Sequence, residues 1–441
     1  GIEYFLRRTT DMLLRFPTPP SMGYSSYYAN VGDMRNSGID FLKVKASFAN
    51  LKSDPTDYNL SRDTYKIGNK HTYNDGSNSN NFLPVVLGNP DLTFADVYEL
   101  NAGFEIALLK RSLYAEVNYF QRRKTGLVAQ TVNEYMGVIG GSDFIMSRNY
   151  GISEGRGFEI SLAYNKRFDP DWSLSVNAGM VYYNAKNRKI DELNYGPGLE
   201  YNQKTDKSLS ALWGYVADGF YTQEEIDRIN DPADKTLAKP SFGTVRAGDL
   251  KYRDLNGDGV IDGADETALG YPKLPQIIYG FTLKALFRGL DFSALFQGAG
   301  QSTTFIDGGL AFPFAGGENP PQAAKDYWTP ENTDATYPRL YGTGGGNSNN
   351  FRRGNNDWFR RSGNYLRLKN IELGYTFSRT MFPRLPLQSV RIYLSGQNLW
   401  TISDLKDFYD PEMGQVGDDA NTRGWYSPQR KIVSVGLNIT F

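Results

Sequence analysis

The 441 residues carry 48 basic and 49 acidic side chains, a formal net charge of −1, so the chain lacks the basic excess typical of nucleic-acid-binding proteins. It contains no cysteine, which excludes disulfides, thiolate zinc sites and cysteine nucleophiles. No stretch approaches about 18 consecutive apolar residues, so we predict no transmembrane helix. The first residues lack the basic and apolar regions of a signal peptide, and we expect a fragment of an exported protein.

Apolar side chains recur at every second position through most of the chain, which is the pattern of strands with one oily and one polar face. Between Leu368 and Ile371 this alternation changes phase, so we expect a β-bulge near Lys369 and Asn370. The last strand ends on Phe441, an aromatic residue that suits the girdle of an outer-membrane barrel. The segments with this pattern are 111–121, 276–288, 292–297, 366–377, 390–395 and 430–441.

The connections alternate between short and long. Short turns are predicted at 109–111, 168–171, 288–290 and 382–386, and long polar loops at 125–154, 188–275, 300–362 and 403–428. An outer-membrane barrel has tight periplasmic turns and long outer loops, whereas a soluble β-sandwich has more evenly spaced turns. The Gly- and Asn-rich segment Gly342–Asn350 is interpreted as a flexible outer loop.

These patterns predict an all-β fold, a large antiparallel transmembrane β-barrel of the plugged 22-stranded transporter type. Residues 1–441 would supply barrel strands and long extracellular loops from its C-terminal portion, without the plug domain. The predicted location is the cell outer membrane, with outer-membrane lipid around the strands.

The segment Asp254–Asp265 has the register of an EF-hand-type loop, with oxygen ligands at alternate positions and a glycine at the sixth. Such a loop favours calcium, or magnesium, in a structural role. The competing interpretation is a solvated acidic turn, because the twelfth position is Asp and the flanks are not helical. The predicted metal ligands are Asp254, Asn256, Asp258, Val260 through its carbonyl, Asp262 and Asp265.

No catalytic constellation is visible, so we predict no enzyme and no catalytic cofactor. The only histidine, His71, lies in a polar segment. The acidic pairs Glu224–Glu225 and Asp418–Asp419 are adjacent in predicted loops and are interpreted as solvated. Several aromatic loop residues suit substrate binding, the aromatic girdle at the membrane interface or loop packing, and these alternatives remain open. They are Trp213, Tyr221, Trp328, Trp358 and Trp425.

Several motifs together resemble the SusC/RagA family, the TonB-dependent outer-membrane transporters of Bacteroidetes. They occur in family order over most of residues 89–441. The segments that carry the resemblance are Asn89–Leu92, Gly248–Gly259, Tyr279–Phe281, Asp291–Gly298, Tyr365–Tyr375, Ser395–Trp400, Tyr409–Glu412 and the terminal strand.

The start of the chain departs from the family pattern. Segments Arg7–Leu14 and Asn30–Asn36 resemble a stretch that the family usually places after the Asn-Pro-Asp-Leu motif, and a comparable stretch recurs at Arg122–Thr125 and Asn149–Gly151. Residues 1–37 are therefore either a duplicated hairpin or a displaced one.

The resemblance implies TonB-dependent import of a bulky nutrient, a glycan or an oligopeptide, across the outer membrane. It also implies two partners, a SusD-like surface lipoprotein and the TonB complex, the latter contacted through an N-terminal region missing here. No nucleic-acid partner is expected. The alternative is a non-transporting outer-membrane scaffold or adhesin that uses the same barrel.

Overall fold

The computed structural model describes residues 8–17, 26–35, 39–53, 60–72, 76, 78–134, 145–306, 311, 313–314, 320, 322–340, 350, 356–381, 386–405, 407–408, 410–412 and 429–441. Parts of the predicted loops at 125–154, 300–362 and 403–428 lie outside these residues, as do Trp425 and the pair Asp418–Asp419. Most of the segment interpreted as a flexible loop, 342–350, also lies outside them.

The described residues are mostly β-strands, as the alternation predicts. In chain order the strands are β1 Arg8–Pro17, β2 Ser26–Arg35, β3 Ile39–Ser53, β4 Thr64–Thr72, β5 Asn78–Val86, β6 Ala95–Leu108, β7 Leu113–Gln130, β8 Ser147–Asp169, β9 Trp172–Lys189, β10 Trp213–Gly214, β11 Ala217–Phe220, β12 Lys239–Pro240, β13 Leu250–Tyr252, β14 Val260–Ile261, β15 Thr267–Ala268, β16 Ile277–Phe287, β17 Leu290–Gly300, β18 Thr303–Phe305, β19 Arg360–Ser362, β20 Tyr365–Ser378, β21 Ser389–Ser403 and β22 Ile432–Thr440.

Ten of these strands pair in one antiparallel sheet, in the order β22-β21-β20-β17-β16-β9-β8-β7-β6-β3. The chain forms two compact units, and β8 and β9 contribute to both. The first unit comprises Gly1–Ile160, Tyr183–Asn194 and Lys204–Leu209, and the second comprises Ser161–Tyr182, Tyr195–Gln203 and Ser210–Phe441. The all-β, antiparallel character of the fold confirms the prediction.

Three of the predicted short turns join neighbouring strands of the sheet, and most of the fourth, 382–386, lies outside the described residues. Arg288 and Gly289 alone connect β16 to β17, and both have positive φ, at 48° and 86°. Two central residues of positive φ give the turn whose twist matches that of a hairpin. Turns also fall at 109–112 and 170–171, as the sequence predicts.

The predicted long loops differ from one another. Both ends of 125–154 are strand, because β7 continues to Gln130 and β8 starts at Ser147, so the predicted bounds of this loop are too wide. The segment 188–275 contains six short strands, two 3-10 turns (Glu200–Asn202 and Gly263–Asp265) and one α-helix, α1 (Gln223–Asn230). Thr222 and Glu225 cap this helix reciprocally, and its buried face carries Ile226 and Ile229. None of the helices in the described part of the chain is both long enough and apolar enough to cross a membrane.

Candidate functional site

The second unit carries a sheet whose two faces differ in chemistry. Strand register places apolar residues next to each other across β9, β16, β17, β20, β21 and β22. One such row is Leu174, Ala285, Phe292, Leu373, Leu394 and Val435. Three of these side chains are exposed, Val435 to 77%, and the other three are partly exposed. A continuous exposed apolar face of this kind matches the lipid-facing band of a transmembrane barrel.

The opposite face of the sheet is polar, and it carries the residues that neighbour the apolar ones along each strand. The row beside the apolar one is Ser175, Lys284, Ser293, Glu372, Ser395 and Ser434. Side chains of successive residues point to opposite faces of a strand. The residue next to each apolar one therefore lies on the polar face. The polar face therefore has the character of a barrel interior.

A charged network lies on this polar face. Arg391 of β21 donates from Nε to Asp291 of β17 at 2.9 Å and from Nη2 to Glu372 of β20 at 2.5 Å. The guanidinium passes over Gly374, where a Cβ atom would lie 2.6 Å from Arg391 Nη2 and 2.7 Å from Asp291 Oδ2. The glycine therefore leaves the space through which the ion pair crosses three strands.

The predicted bulge lies in β20. Register shifts on both sides of the strand leave Lys369 unpaired between Leu368 and Asn370. The extra residue restores the apolar face, because Leu366 and Leu368 before it join the same apolar rows as Ile371, Leu373 and Tyr375 after it. The sequence prediction of a slip at Lys369–Asn370 is confirmed.

Two basic side chains at the bulge, Arg367 and Lys369, contact the segment that follows β21. Lys369 Nζ bonds Glu412 Oε2 at 2.7 Å, and Arg367 Nη2 bonds Asp410 Oδ2 at 2.8 Å. Gln429 Nε2 donates to the same Glu412 oxygen at 2.8 Å. We name these five residues (Arg367, Lys369, Asp410, Glu412 and Gln429) the β20 clasp. The side chains of Arg367 and Asp410 are only 4% and 6% exposed, so their charges depend on each other.

The first unit repeats the arrangement on its own strands. Lys45 of β3 bonds Glu105 of β6 at 2.9 Å and Glu116 of β7 at 2.6 Å on the polar face. Val44 and Phe48 point to the other face and are 71% and 66% exposed. In β8 of the same unit, buried Glu154 accepts bonds from Arg156 and Arg188. Both units thus place ion pairs on one face and bare apolar side chains on the other.

The long segments of the second unit pack into a body with its own hydrophobic core. We call segments 210–275 and 303–359, as far as they are described, the loop body. Its core residues are each at most 4% exposed, and Leu250, Ile261 and Ile306 are fully buried. The full set is Tyr215, Leu250, Tyr252, Ile261, Ile306, Ala311, Ala324, Tyr337 and Phe359. Loops of this body are therefore held by burial and not only by turn chemistry.

A buried polar contact joins distant parts of the loop body. Asp249 is fully buried, and Arg339 Nε lies 2.6 Å from its Oδ1. Asn350, also fully buried, accepts a bond from Leu250 N at 2.6 Å. Asn350 is the one described residue of the segment interpreted as flexible, and at this residue that interpretation is wrong because its amide satisfies a buried backbone group.

The six predicted metal ligands share one loop between β13 and β15. Asp254 accepts bonds from Gly257 N and Gly259 N at 2.6 and 2.8 Å, and Asp258 accepts one from Val260 N at 2.8 Å. The fully buried Asp265 accepts bonds from Leu255 N and Asp262 N at 2.7 and 2.9 Å. The remaining polar ligands are Asn256, which bonds Asp258, and Asp262, which bonds Ala264 N.

This loop concentrates negative charge around a buried carboxylate. Burial raises the pKa of Asp265, and the charge of Asp254 raises it further. Burial, followed by the charges of Asp265 and Asp254, also raises the pKa of Tyr201, whose hydroxyl donates to Ala264 O at 2.8 Å. Within the described residues, no three acidic, histidine or cysteine side chains come close enough together to hold a metal ion. The backbone bonds are those of the competing acidic-turn interpretation, and calcium binding stays a prediction.

The aromatic loop residues that the sequence left undecided act mainly in packing where the structure describes them. Tyr221 is 2% exposed and belongs to a small cluster with Ile226 and Ile229. Trp358 packs against the loop-body core, stacks edge-on with Phe220 at 4.8 Å and donates from Nε1 to Thr336 O. These residues stabilise the loops, and sequence periodicity gave no signal of that role.

The predicted acidic pair Glu224–Glu225 has a structural explanation. Glu225 caps α1 and bonds Lys251 Nζ at 3.0 Å, whereas Glu224 lies in the first turn of the helix. Burial acts to raise the pKa of Glu225, but the bonds from Thr222 and Lys251 outweigh it and hold that pKa below its usual value. The side chain of His71 lies outside the described residues.

Comparison with known proteins agrees with this geometry. No family model matches the chain. TonB-dependent receptor P26 of Formosa agariphila is 29% identical over 374 residues, which cover 80% of this chain and 35% of that protein. TonB-dependent receptor SusC of Bacteroides thetaiotaomicron is 24% identical over 368 residues, covering 80% of this chain and 32% of SusC. A solved structure of the RagAB peptide transporter superposes with a TM-score of 0.59 at 19% identity, covering 91% of this chain and 41% of that chain.

The two-faced strands and the structural match define the class of protein, a transmembrane β-barrel of the outer membrane. Within that class the chain is a homologue of the TonB-dependent receptors of the SusC type, which confirms the resemblance predicted from its motifs. Its relatives are receptors and transporters, which confirms that it is not an enzyme. The chain spans about a third of the length of the curated relatives P26 and SusC.

Proposed function

We propose that this chain forms part of the conduit of a TonB-dependent transporter that imports a bulky nutrient, a glycan or an oligopeptide, across the outer membrane. The observation that carries the proposal is the pairing of an exposed apolar face with a polar face on the same strands. The apolar rows suit lipid, and the polar rows suit a water-filled passage for a hydrophilic substrate. The names of P26 and SusC, TonB-dependent receptors, support the same energy source for this protein.

We further propose that the loop body contacts a SusD-like surface lipoprotein. Its packed core gives the loops a defined surface. Exposed residues of mixed chemistry, such as Arg253, Tyr327 and Glu331, lie on that surface. Tyr and Arg are enriched at protein interfaces, and the interface of a separable partner is usually no more apolar than the rest of the surface. RagAB, with which the chain shares its fold, is described as a peptide transporter.

The loop Asp254–Asp265 is proposed to bind calcium, or magnesium, in a structural role. Its donor set consists of carboxylate, amide and carbonyl oxygens, which are the ligands that these hard cations prefer. A bound cation would offset the negative charge around buried Asp265 and tie the loop to Tyr201 and Asn202, which already bond the carbonyls of Gly263 and Ala264. No chemistry on the substrate is assigned to it.

The transport proposal is tested on the full-length protein in its native membrane. Uptake of a tryptic digest of casein and of a maltooligosaccharide mixture is measured by mass spectrometry in wild-type cells, in a strain lacking the gene, and after collapse of the proton gradient. We expect uptake of one probe that needs both the gene and the gradient. Equal uptake in all three conditions would contradict transport and favour the scaffold or adhesin alternative.

The partner proposal is tested by purification in mild detergent. We expect a surface lipoprotein to co-purify, and we expect Tyr327→Asp combined with Glu331→Arg to weaken that association several-fold. The matched control is Tyr271→Asp, which changes another half-exposed tyrosine of the loop body. A lipoprotein that stays bound to both variants equally would show that this part of the loop body is not the interface.

A further inference from the structure

The apolar face of the first unit changes its chemistry along β7. Val117 lies in one row with the exposed Val44, and every second residue after Val117 points to the same face. These residues are Tyr119, Gln121 and Arg123, in order away from the short turn before β7. An aliphatic side chain is thus followed by an aromatic one and then by polar and basic ones. That order is the one expected from the lipid core through the aromatic girdle to the membrane surface.

Arg123 lies near the height at which this face leaves the lipid core. It follows Leu113, the first residue of β7, by ten positions. At about 3.3 Å per residue this is about 33 Å along the strand, and a strand tilt of about 40° reduces it to about 25 Å along the membrane normal. The apolar band of an outer-membrane barrel is also about 25 Å tall, and its short turns are periplasmic. Arg123 therefore stands at the surface of the outer leaflet.

A cluster of charged residues joins β7, β8 and β9 on the same face. Its centre is Glu154 of β8, which is 5% exposed and accepts a bond from Gln121 Nε2. Arg156 Nη2 bonds Glu154 Oε1 at 2.6 Å, and Arg188 Nε bonds Glu154 Oε2 at 2.7 Å. Because Gln121 lies on the apolar face of β7, the side chains that meet at Glu154 mark the loop end of that face.

This cluster carries an excess of positive charge. We name its three arginines, Arg123, Arg156 and Arg188, the arginine patch. Arg156 and Arg188 share Glu154, and Arg188 also pairs with Asp206. Arg123 is exposed and pairs with no acidic side chain among the residues that the structure describes. The side chain of Arg156 is itself 54% exposed, so the patch presents guanidinium groups to its surroundings and has one cation more than its two acids balance.

The position of the patch selects the kind of anion that it fits. A guanidinium group binds phosphate with two parallel hydrogen bonds, and its long side chain can lie along apolar surface while its charge stays in a polar layer. Directly next to the patch lie Tyr119 and Val117 of the apolar face. A phosphorylated lipid can use both surfaces, its acyl chains against the apolar face and its phosphate against the arginines. A soluble anion can use only the arginines.

We propose that the arginine patch binds the phosphate of a phosphorylated glycolipid of the outer leaflet. Arg123 and Arg156 bond the phosphate, and Arg188 holds Glu154 so that this buried carboxylate does not repel it. The site faces lipid and not the polar face, so the inference does not rest on transport or on any substrate.

The experiment uses the full-length protein purified in mild detergent and freed of lipid by detergent exchange. Monophosphoryl lipid A is added, and native mass spectrometry measures the bound fraction. Parallel arms use the same lipid without its phosphate, and the phosphorylated lipid with millimolar inorganic phosphate. The test variant is Arg123→Gln, which breaks no ion pair between described residues. Its matched control is Lys124→Gln, because Lys124 pairs in register with Val97 and points to the opposite face. Heat-modified migration in a gel shows that each variant forms a folded barrel.

We expect the wild type and Lys124→Gln to bind the phosphorylated lipid alike, and Arg123→Gln to bind it about fivefold more weakly. This loss corresponds to about 1 kcal/mol for one basic side chain at an anionic membrane surface. The wild type should also prefer the phosphorylated lipid at least about fivefold, a comparison that does not depend on any variant. Equal binding by Arg123→Gln, equal losses in Arg123→Gln and Lys124→Gln, or no preference for the phosphorylated lipid would overturn the site. Displacement of the lipid by inorganic phosphate would identify a site for free anions and overturn the lipid assignment.

Discussion

In the second unit, the strands expose apolar side chains, whereas the loop body buries them. In β22, Val435 and Leu437 are 77% and 58% exposed, whereas Leu250, Ile261 and Ile306 of the loop body are fully buried. Water drives apolar groups together, so the loop body looks like an ordinary soluble core. The strands need a different apolar environment, and lipid supplies it. The same chain therefore buries apolar side chains where water surrounds it and exposes them where lipid does.

The largest effect is expected where the loop body is most tightly packed. Phe359 is 2% exposed and contacts Tyr337 edge-on, with ring centroids 6.1 Å apart. We expect Phe359→Ala to destabilise the loop body by about 3–5 kcal/mol through the lost contacts and the remaining cavity. Hydrogen exchange of loop amides measures this locally, while gel migration reports on the barrel. Tyr271→Ala, a half-exposed aromatic position, is the control and should change exchange little.

The strands are tested by a pair of neighbouring substitutions. Leu283 belongs to an apolar row with Val176 and Ala294, and Thr282 belongs to a polar row with Asn177. We expect Leu283→Arg to cost about 2–4 kcal/mol near the membrane midplane and Thr282→Arg far less. Assembly is measured as the fraction of heat-modifiable protein in the outer membrane. Equal assembly of both variants would contradict the assignment of the faces.

The strand region is the part of the molecule that the sequence predicted well. Period-2 alternation is local, so the faces, the hairpin at Arg288–Gly289 and the bulge at Lys369 could all be found from neighbouring residues. The loop body could not. Leu250 N bonds Asn350 across 100 positions, and Asp249 pairs with Arg339 across 90. No short-range pattern reports such pairings, so the sequence predicts long polar loops where the structure has a packed core, and it predicts loop where β7 and β8 extend into 125–154.

The candidate site divides in the same way. The sequence identified the acidic loop from its spacing but could not show whether its carboxylates would face one another or bond the backbone. The β20 clasp gave only a partial signal. The bulge was visible, but the approach of Asp410, Glu412 and Gln429 to it depends on the path of a long connection.

Calcium is expected to stabilise the loop Asp254–Asp265 and to leave the strands unchanged. At a free calcium concentration 100 times the Kd, binding would stabilise the loop by about 2.7 kcal/mol. We expect this stabilisation in the wild type and its loss in the variant that combines Asp254→Ala and Asp258→Ala, measured by calorimetric titration and hydrogen exchange of residues 254–265. The barrel should remain folded in both. Absence of heat and of added protection in millimolar calcium would leave the acidic-turn interpretation as the correct one.

A smaller effect is expected from pH at helix α1. The folded-state pKa of Glu225 lies below its unfolded value, so its contribution is present above the unfolded pKa and is lost as pH falls through the folded pKa. We expect Glu225→Gln to destabilise α1 by about 1 kcal/mol at neutral pH, and this difference to shrink below about pH 4. Hydrogen exchange of residues 223–230 across pH, corrected for intrinsic rates, measures it. A difference independent of pH would indicate packing and not charge.

The central claim is that successive residues of these strands face lipid and water alternately. Because the 441 residues contain no cysteine, single cysteine residues can be introduced here and spin-labelled in a full-length background without accessible thiols. Leu283→Cys and Thr282→Cys, reconstituted in bilayers, are compared by collision with oxygen, which concentrates in lipid, and with a water-soluble nickel chelate. We predict that the label at position 283 meets mainly oxygen and the label at 282 mainly nickel. The reverse order, or equal access at both positions, would contradict the account.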